Sequence, residues 1–122
     1  MQPKVLKTDS SKEYFFKEGC YILELSNSEH DKGLSIARAR VEPGIATQLH
    51  SLHDTIERYI ILQGEGLVTL AEQEPIAVGE YDVVLIPKNC PQSICNTGSD
   101  DLVFLVMCTP RFLPENYQTI TH

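Results

Sequence analysis

Clustered basic charge is missing from this sequence of 122 residues: ten Lys and Arg lie scattered among seventeen Asp and Glu, for a formal net charge of -7. Affinity for a phosphate backbone rests largely on grouped Lys and Arg, so no nucleic-acid partner is expected. Long apolar runs are missing as well. The longest, Leu102 to Cys108, is far shorter than the ~20 residues that cross a bilayer, and the N-terminus shows no signal-like apolar segment. The expectation is a soluble, cytoplasmic protein with no membrane partner.

Cysteine is too sparse, and too irregularly spaced, to suggest a zinc ribbon or a disulfide framework. The four residues Cys20, Cys90, Cys95 and Cys108 read instead as small buried hydrophobes. Cys90 stands apart because it falls two residues before Gln92, whose importance emerges below. Helical periodicity is also absent, which argues against an α/β fold with its helical crossovers.

What is present is a succession of short alternating or apolar runs broken by turn residues. Cys20 to Leu25, Leu34 to Val41, Ile56 to Leu62, Leu67 to Ala71, Ile76 to Val78, Asp82 to Ile86, Gln92 to Asn96 and Leu102 to Cys108 all read as strands. Gln63-Gly64-Glu65-Gly66 is a turn signal, so the strands on either side are expected to form a hairpin. Spacing of this kind points to an all-β protein, a jelly-roll barrel of two antiparallel sheets. One domain spans 1–122, with a core over about 34–108, an N-terminal arm over 1–18 and a C-terminal extension over 109–122. Tyr59 to Leu62 and Leu102 to Met107 are apolar on both faces, so the outward face needs a cover, and a homodimer is the simplest.

The stretch "LHSLHDTIERYIILQGEG", Leu49 to Gly66, carries the chemistry. His50, His53 and Glu57 are ordinary ligands for Fe, Mn, Ni or Zn, since imidazole nitrogen and carboxylate oxygen suit borderline divalent ions. Side chains alternate along a strand. His53 and Glu57, four apart, can share a face; His50 and His53, three apart, can do so only across a bulge or turn. The plainer reading is a polar rim with His50 solvated and Glu57 paired to Arg58 or Arg40.

The frame around these residues, Gly44, His50, His53, Glu57 and Gly64, resembles the first motif of the cupin superfamily, and "GEYDVVLIPKNCPQSICN", Gly79 to Asn96, resembles the second. Three departures stand out. Ser51 and Leu52 separate the histidines where the family has one residue, so either an insertion has displaced His50 or one histidine has left the site. Gln92 stands where the family has its last metal-binding histidine, and an amide is the poorer ligand. Asn89 replaces a family glycine at a turn, a residue that tolerates positive φ.

The resemblance implies a divalent transition metal inside one end of the barrel, held by His50, His53, Glu57 and Gln92. It also implies a small organic substrate as partner. Oxygen activation would suit the site, as would metal-assisted isomerase or lyase chemistry, with Glu57 as catalytic base in the second. The competing reading is a non-catalytic module that binds or senses a small molecule with a degenerate site; a structural dimer is the third. Tyr59, on the Glu57 face, and Arg40, which shares a face with Arg38, are candidate substrate contacts, the arginines for an anionic ligand. A solvated face or an interface ion pair is the plainer role for Arg40. The tail "TPRFLPENY", Thr109 to Tyr117, is expected across the barrel or a partner subunit. No role is assigned to His30 or His122.

Overall fold

A computed structural model describes residues 1–121; His122 lies outside the described residues. Eleven strands form, and the described residues contain no α-helix, only three short 3-10 turns. Among the described residues no helix is long and apolar enough to cross a membrane. In chain order the strands are β1 (Tyr14–Phe16), β2 (Cys20–Ser26), β3 (Ser35–Val41), β4 (His50–Leu52), β5 (Ile56–Gln63) and β6 (Gly66–Leu70). They continue with β7 (Ile76–Val78), β8 (Val83–Ile86), β9 (Gln92–Asn96), β10 (Leu102–Thr109) and β11 (Tyr117–Thr119). Two sheets face each other, in the orders β1-β2-β3-β10-β5-β8 and β11-β4-β9-β6-β7. This is the jelly roll the alternation predicts, with every pairing antiparallel.

Period-two alternation fixes which residues enter the barrel. Ala39 and Val41 from β3, Tyr59 and Ile61 from β5, and Phe104 from β10 are buried against Val68 and Ile94 of the other sheet. A one-residue slip would expose this whole set, so register is strongly held.

The expected hairpin between β5 and β6 does not form. The two strands belong to different sheets, and the turn between them carries the chain from one to the other. Gly64 makes the crossing possible: its φ is +91°, and a Cβ there would lie 2.9 Å from the Asp101 carbonyl oxygen. A turn signal between two apolar runs fits a hairpin and a sheet crossing equally well. Asn89 does take the left-handed conformation, at φ 64°. Its backbone N–H donates to Leu52 O and its side-chain oxygen accepts from Asp54 N, so this loop braces the end of β4.

The N-terminal arm covers part of the outer face. Glu13 accepts from Arg38 at 3.1 Å and from Arg40 at 2.7 Å, and Arg40 also reaches Asp101 at 3.1 Å. The tail crosses the barrel, with β11 pairing β4. Arg111 N donates to Lys32 O, Phe112 N to Ser35 Oγ, and Asn27 Nδ2 to Phe112 O, which clamp the connection to the body of the domain.

Candidate functional site

One end of the barrel keeps a cavity that opens to solvent. His50 and Leu52 enter it from β4, Glu57 and Tyr59 from β5, Cys108 from β10, and Glu18 from the turn before β2. The strand register explains the gathering. His50 lies opposite Gln92 on the neighbouring strand, and Glu57 lies opposite Cys108, so the two sheets bring a histidine, a glutamine and a carboxylate to the same end.

Gln92 is 1 % exposed and its amide bridges two side chains: Tyr59 Oη donates to Gln92 Oε1, and Gln92 Nε2 donates to Glu57 Oε1. The Cys108 thiol approaches the other Glu57 oxygen at 3.9 Å. Burial pushes the Glu57 carboxyl up to about 8, the Gln92 hydrogen bond partly offsetting it and the nearby Glu18 adding to it. Glu57 therefore keeps its proton at neutral pH. Gln92 Nε2, a donor, occupies Oε1, which leaves Oε2 to carry that proton. Tyr59 is raised well above the ordinary phenol range by burial and then by Glu57, so it stays a hydrogen-bond donor.

His50 forms a second unit. Its Nδ1 lies 2.6 Å from the Gln48 carbonyl oxygen, which can only accept, so Nδ1 carries a hydrogen. Its Nε2 lies 3.1 Å from Glu18 Oε2. That contact needs one proton, supplied either by imidazolium to a carboxylate or by a carboxylic acid to neutral imidazole; the pair shares it. Burial raises Glu18 above the usual carboxyl range, with His50 and then the Cys20 thiol opposing. Tyr117 stacks on the His50 ring, centroids 4.9 Å apart and 18° between planes, and fixes its tilt.

Two of the residues singled out in the sequence lie elsewhere. His53 follows β4 in a turn; its side chain is 55 % exposed and meets Asp54 at 3.2 Å. The parity of the strand is the reason. Two residues from His50, not three, is the next position on the cavity face, and Leu52 occupies it. Arg40 sits on the outer face of β3, its guanidinium 4.2 Å over the Tyr21 ring and bound to Glu13, so it does not meet the cavity. Cys90 is half-buried, its thiol directed to Pro91 O. Glu18 and Tyr117, by contrast, carry no signal in the sequence: one glutamate before a turn glycine and one tail tyrosine among many acids and aromatics.

The metal that the resemblance implies does not fit this donor set. Among the described residues no group of three or more His, Cys, Asp and Glu side chains is placed to hold an ion. An apolar Leu52 stands beside His50, both amide atoms of Gln92 are engaged, and both ring nitrogens of His50 already have partners.

The profile of the cupin domain matches residues 37–108 of this chain. An uncharacterized protein of Methanocaldococcus jannaschii is 36% identical over 121 residues, covering 96% of each chain. The oxalate-binding protein of Thermotoga maritima is 37% identical over 79 residues, 64% of each. Among solved structures, a point variant of Streptomyces PAC13, a nucleoside dehydratase, with uridine superposes with a TM-score of 0.79 at 18% identity. It covers 97% of this chain and 92% of its own, a likeness of fold. The match across most of the barrel and the full-length relative agree with the sheet order and the placement of the cavity: this chain belongs to the cupin family.

Proposed function

We propose that this small-molecule cupin moves protons with its own side chains. Glu57 holds a proton on Oε2, and the His50–Glu18 pair shares another, so a bound substrate can gain a proton from one unit while losing one to the other. Elimination of water and isomerisation both need that combination. The observation that carries the reading is the Gln92 amide locked between Tyr59 and Glu57, because it aims a neutral, buried carboxyl at the cavity. The structural neighbour solved with uridine is a nucleoside dehydratase, which supports the same reaction class.

The test joins metal content with kinetics. Untagged protein purified without chelator is expected to contain well under ~0.1 equivalent of Fe, Mn, Ni or Zn. Nucleosides and small hydroxy acids are the first substrates to screen, and Glu57→Gln and His50→Gln are each expected to lower turnover by about 100-fold or more. About one equivalent of metal, with activity lost to chelator and restored by one ion, would return the metal-dependent enzyme. Saturable binding with no turnover in any screen would favour the non-catalytic binding module.

A homodimer is part of the proposal. On the outer face of β5 and β8, Leu62 is 39%, Val83 57% and Leu85 67% exposed, a contiguous apolar surface on adjacent strands. Light scattering is expected at about twice the 13.7 kDa chain mass, and a clean monomer would remove this element.

A further inference from the structure

The mouth of the cavity has a character of its own. Tyr14 and Phe16 share one face of β1 and stand at 77° to each other with centroids 6.4 Å apart. Phe112 of the tail stands at 83° to Phe16, centroids 6.3 Å apart. All three line the cavity, as does the exposed carboxylate of Glu24, which accepts from Tyr14 Oη at 3.3 Å. Rings at near right angles wall a corner, and each ring face carries the negative part of the aromatic quadrupole.

The charges point the same way. Of the three glutamates that line the cavity, Glu57 keeps its proton and Glu18 shares one with His50, so Glu24 at the mouth is left as the carboxylate, and among the described residues no Lys or Arg lines it. His50, the remaining ionisable nitrogen, is committed to Glu18. Arg38 and Arg40, the natural partners for an anion, are held by Glu13 on the opposite face of the sheet. The chain itself already places an ammonium on this aromatic cluster: Lys17 Nζ lies 4.6 Å over the Tyr117 ring, which meets Phe16 edge-on at 5.1 Å.

We propose that Tyr14, Phe16, Phe112 and Glu24 form a subsite for an organic ammonium group, so that the cavity selects cationic ligands over small dicarboxylates. The inference rests on the reading of the cavity as the ligand site and adds the charge of the ligand to it. A dianion such as oxalate would pass the Glu24 carboxylate, and among the described residues no guanidinium or ammonium lines the cavity to meet it, the Lys17 ammonium being taken up by the Tyr117 ring. An ammonium meets the aromatic cluster and the Glu24 carboxylate beside it.

Calorimetric titration of the full chain with choline, with its neutral carbon isostere dimethylbutanol and with oxalate tests this directly. Choline is expected to bind about tenfold tighter than the isostere, and oxalate to show no binding in the cavity. Phe16→Leu, which keeps apolar bulk but removes the ring, and Glu24→Gln, a conservative change at an exposed position, are each expected to erase most of that preference. Equal affinity for choline and its isostere, tighter binding of oxalate, or no binding of choline would each overturn the proposal. Neither variant alters Glu57, Gln92 or His50, so failure here leaves the proton-transfer reading standing. Failure of that reading in the Glu57→Gln kinetics leaves the charge preference of the mouth to be measured on its own.

Discussion

Two amides on one strand divide the barrel into its two halves. Asn96 and Gln92 lie four residues apart on the inward face of β9, and each is 1 % exposed. Asn96 bonds only to backbone: its Nδ2 donates to Val41 O and Asp100 O, and its Oδ1 accepts from Gly98 N, all at 2.8 Å. Gln92 bonds through its side chain to a phenol and a carboxyl, groups that exchange protons. The same chemical group, equally buried, closes a loop at one end and holds two ionisable side chains at the other. Burial of a polar residue thus says little about its role until its partners are named.

The comparison breaks most easily at Asn96. Asn96→Ala strips two carbonyls and one N–H of their partner and is expected to cost about 3 kcal/mol in chemical denaturation, with no change in ligand binding. An equal loss of binding would mean that the two ends are not separable. The next effect is in pH. Glu57 holds its proton up to about 8 in the folded chain, against an ordinary value of 4.5, so the folded state binds more protons between those values. Its contribution to stability is complete below about pH 4.5 and is lost as pH rises through 8. The fall is expected to exceed roughly 2 kcal/mol, with buried Glu18 acting in the same direction, and Glu57→Gln should flatten it. A wild-type profile level over that range would contradict a neutral Glu57.

Plasticity of the site end is sharpened by restoring what the family motif suggests. The double change Leu52→His with Gln92→His puts imidazoles on the cavity face beside and opposite His50, and is expected to create a site for Ni or Zn. At free ion thirtyfold above its Kd the thermal stabilisation should reach about 2 kcal/mol, and the parent chain should show none. Stabilisation of both proteins alike would place the ion elsewhere. The smallest effect belongs to Tyr59→Phe, which orphans Gln92 Oε1 and is expected to cost about 1 kcal/mol. It should also lower turnover by more than that loss of stability explains, because Gln92 is then free to release Glu57.

Legibility followed the length of the local signal. β9 matches its expected bounds and β5 and β10 differ from theirs by a residue or so, because five to eight residues of alternation or apolar character specify a strand. β7, at three residues, was legible from an apolar run closed by the Gly79 turn, whereas β1, β4 and β11, equally short, went unread. Their loss mattered, since β4 decides the site. Placing His50 on a strand makes Leu52 its neighbour on the cavity face and sends His53 outward, a consequence of parity that spacing from a motif does not reveal. Glu18 and Tyr117 were illegible for another reason. They reach His50 through contacts that bridge 32 and 67 positions of sequence, 50 less 18 and 117 less 50, and no local pattern marks either end.

The pairing of β11 with β4 has a consequence for how the protein comes into being. Synthesis runs from the first residue to the last, and ten of the eleven strands precede the segment that carries Tyr117. A nascent chain can pair most of both sheets while His50 still lacks the ring that holds its tilt. The His50 ring is therefore set only once the tail has docked, and a nick by a protease between Thr109 and Tyr117 is expected to release it while sparing the other ten described strands.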